Sequence, residues 1–316
     1  MSGDNLINEE KTKKMSAINL VYLYLLSPLH TGGTTQEGNL LGIARESHTN
    51  LPYIPSSTIR GRLRASTSNT EEIEINGQKK SLRFFLFGNE IADGAQLEQG
   101  AIWIGDGSIL WIPVPSLSHG VVWVSSPMLL NRWKRLSGSD IQIPQDYSTN
   151  ITGNGNVYLK DAILKKETLH NWNNDEWKKT IPQQSDAFGI NPVLVLPDKH
   201  CATIVQMSLW RQVKIKLDEH KTVDGGFRYE EAIPPDTLMY FPWGVTSQAN
   251  SKVSRVDSKS NEDKNNTEKD ESNPYKAFNK ILENSSILQI GGQESLGRGF
   301  VQLMYNNTRN NQENQS

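Results

Sequence analysis

The sequence predicts an α+β fold: a ferredoxin-like (RRM-like) sheet with large insertions and one protruding β-hairpin. Three observations carry this. Short strand and helix signals alternate without the long, regular βαβ spacing of a doubly wound sheet. The β-branched and aromatic run INLVYLYLL at 18–26 reads as a buried strand. Two strand-like segments, 213–217 and 227–233, flank an Asp224-Gly225-Gly226 turn region, which predicts the hairpin.

Taken in order, the elements follow from local chemistry. Residues 1–16 are polar and charged, and read as a disordered tail rather than a signal peptide. The first strand stops at Ser27-Pro28, and a long loop runs to Asn50; long loops in compact domains are often functional. A helix is predicted over 56–66, capped by the hydroxyls of Ser56, Ser57 and Thr58. Residues 71–80 read as a charged hairpin turning at Asn76-Gly77, and 81–87 as an apolar helix or strand ending at Gly88. Strands are predicted at 101–104, 108–114 and 120–124, and a helix at 127–136 with Pro127 in its first turn. Residues 137–155 form a loop, 156–163 one strand, and 171–179 a segment bearing Trp172 and Trp177. A strand at 192–196 precedes a helix at 198–209 with Asp198 as its cap. Residues 247–272 hold almost no large apolar side chain, so burial cannot offset their ordering entropy, and a disordered insertion is expected. A helix at 275–283 and strands at 287–290 and 300–305 complete a single domain over 17–305, followed by an asparagine-rich tail at 306–316.

Composition narrows the classes. A chain of 316 residues can bury a sizeable core. Its one cysteine, Cys201, excludes an intrachain disulfide and a cysteine metal cluster, and fits a reducing, cytoplasmic setting. No apolar run reaches membrane-spanning length, so no membrane partner is expected. The net charge is −2, so any nucleic-acid site must come from local clustering.

Such clusters exist. Arg60, Arg62 and Arg64 follow the predicted cap, where unpaired N–H groups and the macrodipole favour an anion. Arg132, Lys134 and Arg135 form a second cluster. Gly291, Gly292, Gly297, Arg298 and Gly299 make a glycine-rich loop whose backbone can approach a phosphate closely. That loop lacks the Gly-Lys-Ser/Thr of a P-loop, which argues against nucleotide hydrolysis. The bland alternatives are a solvated face for each cluster and a tight turn for the loop. The six histidines (His30, His48, His119, His170, His200 and His220) show no close ligand spacing, so no metal site is assigned. Trp111, Trp123 and Trp133 are expected in the core rather than stacked on bases.

Ser27-Pro28-Leu29-His30-Thr31-Gly32-Gly33, then Arg45-Glu46 with His48-Thr49, then Pro52-Tyr53-Ile54-Pro55-Ser56-Ser57-Thr58-Ile59-Arg60-Gly61 resemble motifs of the RAMP superfamily. Within it, they resemble the backbone subunits of type III-B CRISPR (Cmr) RNA-guided effector complexes. Leu86-Phe87-Gly88, Gly105-Asp106-Gly107, Pro127-Met128-Leu129-Leu130-Asn131-Arg132, Tyr229-Glu230-Glu231 and the 291–299 loop follow in the family's order.

The resemblance implies an RRM-like palm with a thumb hairpin at about 211–235. It also implies a guide-RNA-binding subunit in antiviral defence, present in several copies and holding a guide–target RNA duplex. The implied partners are guide RNA, target RNA, other copies of the chain and other subunits of the complex. The two basic clusters, the hydroxyls of Ser56, Ser57 and Thr58, and the glycine loop would then face RNA. The family cleaves target RNA with a divalent metal, and His30, Glu37, Tyr229 and Glu230 are the candidate catalytic residues here. The family's loop aspartate, however, falls on Leu40, or on Leu41 with a different gap, and no aspartate lies between Ser27 and Arg64. The resemblance therefore implies weak or lost cleavage, with no cofactor unless cleavage occurs. Two alternatives are an active target-RNA endoribonuclease and a stand-alone guide-processing RAMP endoribonuclease.

Overall fold

A computed structural model describes residues 18–33, 36–37, 40–68, 70–75, 78–89, 98–172, 175–182, 189–249 and 273–305. The predicted tails at 1–16 and 306–316, and all but 247–249 of the predicted insertion, lie outside these residues.

The chain forms a mixed α+β fold on one large sheet. Strand β1 (Asn19–Leu25) is one of its interior strands. The long first loop holds two short strands, β2 (Gln36–Glu37) and β3 (Leu40–Leu41), before helix α1 (Ser56–Ser66). The hairpin β4 (Glu72–Ile75) and β5 (Gln78–Ser81) leads into helix α2 (Leu82–Phe87), with the predicted Asn76-Gly77 turn outside the described residues. Strands β6 (Ile102–Ile104), β7 (Ser108–Ser116) and β8 (Gly120–Ser125) precede helix α3 (Pro127–Ser137). Short strands β9 (Ser148–Thr149), β10 (Val157–Leu159), β11 (Ala162–Leu164), β12 (His170–Asn171) and β13 (Val193–Val195) extend one flank, followed by helix α4 (Asp198–Ser208). The long strands β14 (Trp210–Leu217), β15 (Val223–Ala232) and β16 (Leu238–Val245) come next. Helix α5 (Pro274–Glu283) and strands β17 (Ile287–Gln289) and β18 (Phe300–Tyr305) close the chain.

The main sheet runs β12-β9-β13-β8-β7-β16-β1-β18-β17. In its middle, β18, β1, β16 and β7 are all antiparallel to their neighbours. Both faces of β1 are covered, which is why its sequence is apolar throughout rather than alternating. Val21, Leu23 and Leu25 face a core with Ile59 and Leu63 of α1, Leu86 and Phe87 of α2, and Phe278 and Leu282 of α5. Tyr22 and Tyr24 face a second core with Trp111, Trp133 of α3, Trp172 and Trp177. The predicted core tryptophans are thus buried, and their N–H groups are satisfied. Trp111 donates to Thr180 at 2.9 Å, Trp133 to the Tyr22 hydroxyl at 2.9 Å, and Trp123 to the Asp236 carbonyl at 3.0 Å. Burial pushes the Tyr22 phenol up to about 12, so it stays a neutral partner for Trp133.

Four local expectations are corrected. Residues 156–163 are two strands, not one, because Lys160-Asp161 turns the chain and β10 pairs back on β11. Asp198 does not cap its own helix. It is the first residue of α4, and its carboxylate accepts the Met128 N–H at 2.9 Å, so it serves the N-terminus of α3 beside the true cap, Ser126. Ser56, Ser57 and Thr58 make no side-chain cap on α1; its N-cap is Pro55. The hairpin turns at Asp218–Thr222, with Asp218 carboxylate oxygens accepting the N–H groups of His220 and Thr222 at 2.9 Å each. Asp224-Gly225-Gly226 lies inside β15.

Candidate functional site

Strands β14 and β15 form a hairpin whose outer part stands clear of the rest of the molecule. Its register pairs Val213 with Tyr229, Ile215 with Phe227, and Leu217 with Val223. Directly opposed residues share a face, so these pairs form an apolar ladder of three rungs. Each of the six side chains is between 42% and 62% exposed. Lys214 and Arg228 pair on the reverse face, and Lys216 reaches Asp224 at 2.8 Å. The alternation of Val213, Ile215 and Leu217 with Lys214 and Lys216 is present in the sequence of β14, WRQVKIKL, and is the signal by which Lys214 and Lys216 are detectable; Arg211 shares the parity of the apolar residues.

At the root of the hairpin the structure gathers most of the predicted catalytic candidates. Strand β3 lies parallel to β15, with Leu40 opposite Tyr229 and Leu41 opposite Glu230. Strand β2 places Glu37 opposite Leu40. The first loop also bonds to the chain after β15 through Leu29 and Ile233, which exchange backbone hydrogen bonds of 2.9 Å. His30 is therefore buried (5% exposed) with Nδ1 2.9 Å from the Glu231 carbonyl. That carbonyl can only accept, so Nδ1 carries the hydrogen when the ring is neutral.

The glycine loop closes over the same histidine. The Gly292 N–H donates to the His30 carbonyl at 3.0 Å. A Cβ on Gly291 would lie 2.4 Å from that carbonyl oxygen, and one on Gly299 would lie 1.9 Å from the Ile290 oxygen. Both residues also have left-handed φ, 81° and 77°. Close backbone packing is thus an internal reason for these two glycines. Gly292 and Gly297 carry no comparable clash.

The electrostatics separate charged residues that the sequence grouped together. Glu230 is 3% exposed and accepts from Lys214 at 2.8 Å and Arg298 at 3.1 Å. Burial pushes its carboxyl up, but Lys214 and Arg298 overcome that and hold it below the ordinary value. An ionised carboxylate already serving two cations is a poor proton acceptor. Glu231 likewise accepts from Arg45 at 2.7 Å and Arg211 at 3.0 Å. Among the described residues, no three His, Cys, Asp or Glu side chains come together to hold a metal ion.

The predicted phosphate contacts are redistributed. Arg298 is buried, 4% exposed, and its guanidinium is spent on protein groups rather than offered to solvent. Arg132 is bound to Glu46 through two donors, at 2.5 and 3.1 Å, because the Arg45-Glu46 turn faces α3. Lys134 is half-buried and Arg135 exposed on the same helix. The N-terminus of α1 already holds an anion: the Ser56 N–H donates to the Asp106 carboxylate at 2.7 Å. On α1, Arg60 donates to the Phe87 carbonyl, Arg62 keeps a buried Nε with no hydrogen-bond partner, and Arg64 is half-buried. Asp106 and Arg45, unassigned as site residues at the sequence level, owe their roles to partners distant in the chain.

A model of the RAMP superfamily matches residues 22–302. The chain is 29% identical over 310 residues, 92% of its length and 97% of the relative's, to the CRISPR system Cmr endoribonuclease Cmr4 of Pyrococcus furiosus. It resembles the crystal structure of oligomeric Cmr4 from Pyrococcus furiosus with a TM-score of 0.62 at 25% identity, covering 92% of this chain and 98% of that one. A chain of the type III-B Cmr-beta complex bound to cognate target RNA shares the fold at a TM-score of 0.64 and 19% identity, with 91% and 96% covered.

Proposed function

The chain belongs to the RAMP superfamily, and from that premise we propose that it is a guide-RNA-binding backbone subunit of a type III-B CRISPR effector complex. It acts in the cytoplasm in antiviral defence, in several copies, and holds a guide–target RNA duplex beside other subunits. The observation that carries this reading is the β14–β15 hairpin. A ribbon that is two-stranded beyond the rungs paired to β3, with an exposed apolar ladder and a basic reverse face, needs a partner with apolar and anionic surfaces. RNA offers both, in its bases and its phosphates. The antiparallel order β18-β1-β16-β7, with α1 and α5 in the crossovers, supports reading this part of the sheet as a ferredoxin-like palm and the hairpin as its thumb. Exposed and half-buried basic side chains on α1 and α3 supply sequence-independent phosphate contact, and base pairing supplies specificity.

We assign this subunit weak or no cleavage of the target. Strand scission needs a base and a stabiliser of developing charge near the scissile phosphate, and such acid–base terms are worth roughly 10²–10⁴-fold each. Leu40 opposes Tyr229, where a carboxylate would have faced the hairpin root, and leucine neither takes a proton nor binds a metal. Glu230 and Glu231 are neutralised by Lys214, Arg298, Arg45 and Arg211, so they neither replace the base nor form a metal site.

The test assembles the chain on guide RNA, follows the assembly by size-exclusion chromatography, then adds matched target RNA with a divalent cation. The expected result is a large guide-bearing assembly that retains the target without regularly spaced cuts. A small particle that trims precursor RNA would show a processing enzyme instead. Fast periodic cuts abolished by Glu37→Gln would show that a glutamate has taken over.

A further inference from the structure

We infer that Arg298 is a positioning residue: it fixes the direction in which the β14–β15 hairpin leaves the sheet, and it makes no contact with RNA. The RNA-binding proposal above is needed only for the second half of that statement.

A ribbon of two strands has little lateral support, so its direction is set at its root. Gln212 and Glu230 are directly opposed there, one on each strand. The Arg298 guanidinium grips both, donating to Gln212 at 2.7 Å and to Glu230 at 3.1 Å, and also to Gln293 of the glycine loop. Its plane lies over the Trp210 ring, 4.4 Å from the centroid, at the first residue of β14. The backbone that carries it is fastened to the sheet. The Gly299 N–H donates to the Pro28 carbonyl at 2.9 Å, and Gln289 donates to the Arg298 carbonyl at 3.2 Å. One buried side chain thus joins the last loop of the chain to both strands of the hairpin at a single rung. A planar fork does this, whereas a lysine point charge could serve only one strand well. The next rung, Arg211 opposite Glu231, is closed by the Arg211–Glu231 ion pair and held from the first loop by Arg45 on Glu231. A phosphate contact would need exposed N–H groups, and those of Arg298 face inward.

Hydrogen exchange of the full chain tests the positioning role directly. Arg298→Ala and the isosteric Glu230→Gln should each speed exchange of the amides of 211–217 and 223–231 by about tenfold or more. The amides of β1 and β16 should keep their protection. Arg298→Lys should fall between Arg298→Ala and the wild type. Unchanged hairpin exchange in both Arg298→Ala and Glu230→Gln overturns the inference, and so does an equal rise in hairpin and sheet, which would mark a general fold residue. Should Arg298→Ala fail to fold, Arg298→Lys decides, because Glu230→Gln also weakens the Lys214 pair: hairpin exchange equal to that of the wild type overturns the inference. For RNA, the slope of log affinity against log salt should be the same for Arg298→Ala and wild type. A slope shallower by about 0.7 would reveal a lost phosphate contact and refute the claim. If the wild type binds no guide RNA, the proposed function fails while the exchange measurement still judges the hairpin.

Discussion

Replacing Arg132 by alanine strands the Glu46 carboxylate, and the structure sets the size of the loss. Glu46 is 14% and Arg132 25% exposed, so the pair is screened less than a surface bridge. Glu46 keeps the Thr49 hydroxyl at 2.6 Å but loses both guanidinium donors. Hydrogen bonds to charged groups contribute about 1.5–3 kcal/mol, and the residual exposure places the expected loss at about 2–3 kcal/mol. For a chain of this size that lowers Tm by roughly 3–5 °C.

Thermal denaturation of Arg132→Ala, Glu46→Gln and the double variant should show strong coupling, the double variant losing far less than the sum. The pH dependence has a definite sign. Burial pushes the Glu46 carboxyl up, but Arg132 and Thr49 bring it below its ordinary value. The stabilisation is therefore present above the unfolded value of about 4.3 and fades as pH falls through the folded value below it. The gap between wild type and Arg132→Ala should be full at pH 7 and shrink below about pH 4. An unchanged Tm with a fall in RNA affinity would refute this reasoning and return Arg132 to phosphate contact.

Arg64→Ala should weaken guide binding about equally for every guide sequence and reduce the salt slope by about 0.7, measured by fluorescence anisotropy across a salt series. A loss that varied with guide sequence would contradict the assignment. Gly299→Ala should cost at least about 2 kcal/mol in urea denaturation, since its Cβ would sit 1.9 Å from the Ile290 oxygen at a left-handed φ. Deleting residues 250–272 should shift Tm by no more than about 2 °C, because their composition offers no core to lose; a large drop would show that the segment packs.

What the sequence made legible was local. The 18–26 run, the Pro127 helix start and the C-terminal strands came from period, caps and breakers, and they correspond to β1, α3, β17 and β18. The hairpin was legible too, but its turn was misplaced because Asp-Gly-Gly is a stronger turn signal than Asp218–Thr222. What was illegible was pairing at a distance. The partners of Arg132 and Arg298, Glu46 and Glu230, lie 86 and 68 residues away, so their ion pairs are invisible in the sequence. Asp106 at the α1 terminus is the same case, 50 residues from Ser56. The glycine loop was ambiguous for another reason: a backbone that approaches a phosphate and one that packs on His30 ask for the same residue type.

The ribbon that awaits a partner is also exposed to the wrong one. Strand β14 is the outer strand of its sheet, in the order β14-β15-β3-β2, so one row of its backbone groups is open to pairing with another chain. Beside its apolar ladder, that is the surface from which cross-β aggregates grow. The strand answers with Lys214 and Lys216 at alternate positions on the reverse face. A second identical strand laid in register along that edge would stack each cation against its own copy, whereas a polyanion would neutralise them. The charges on the reverse face thus set that edge against pairing with its own copy and toward a polyanion.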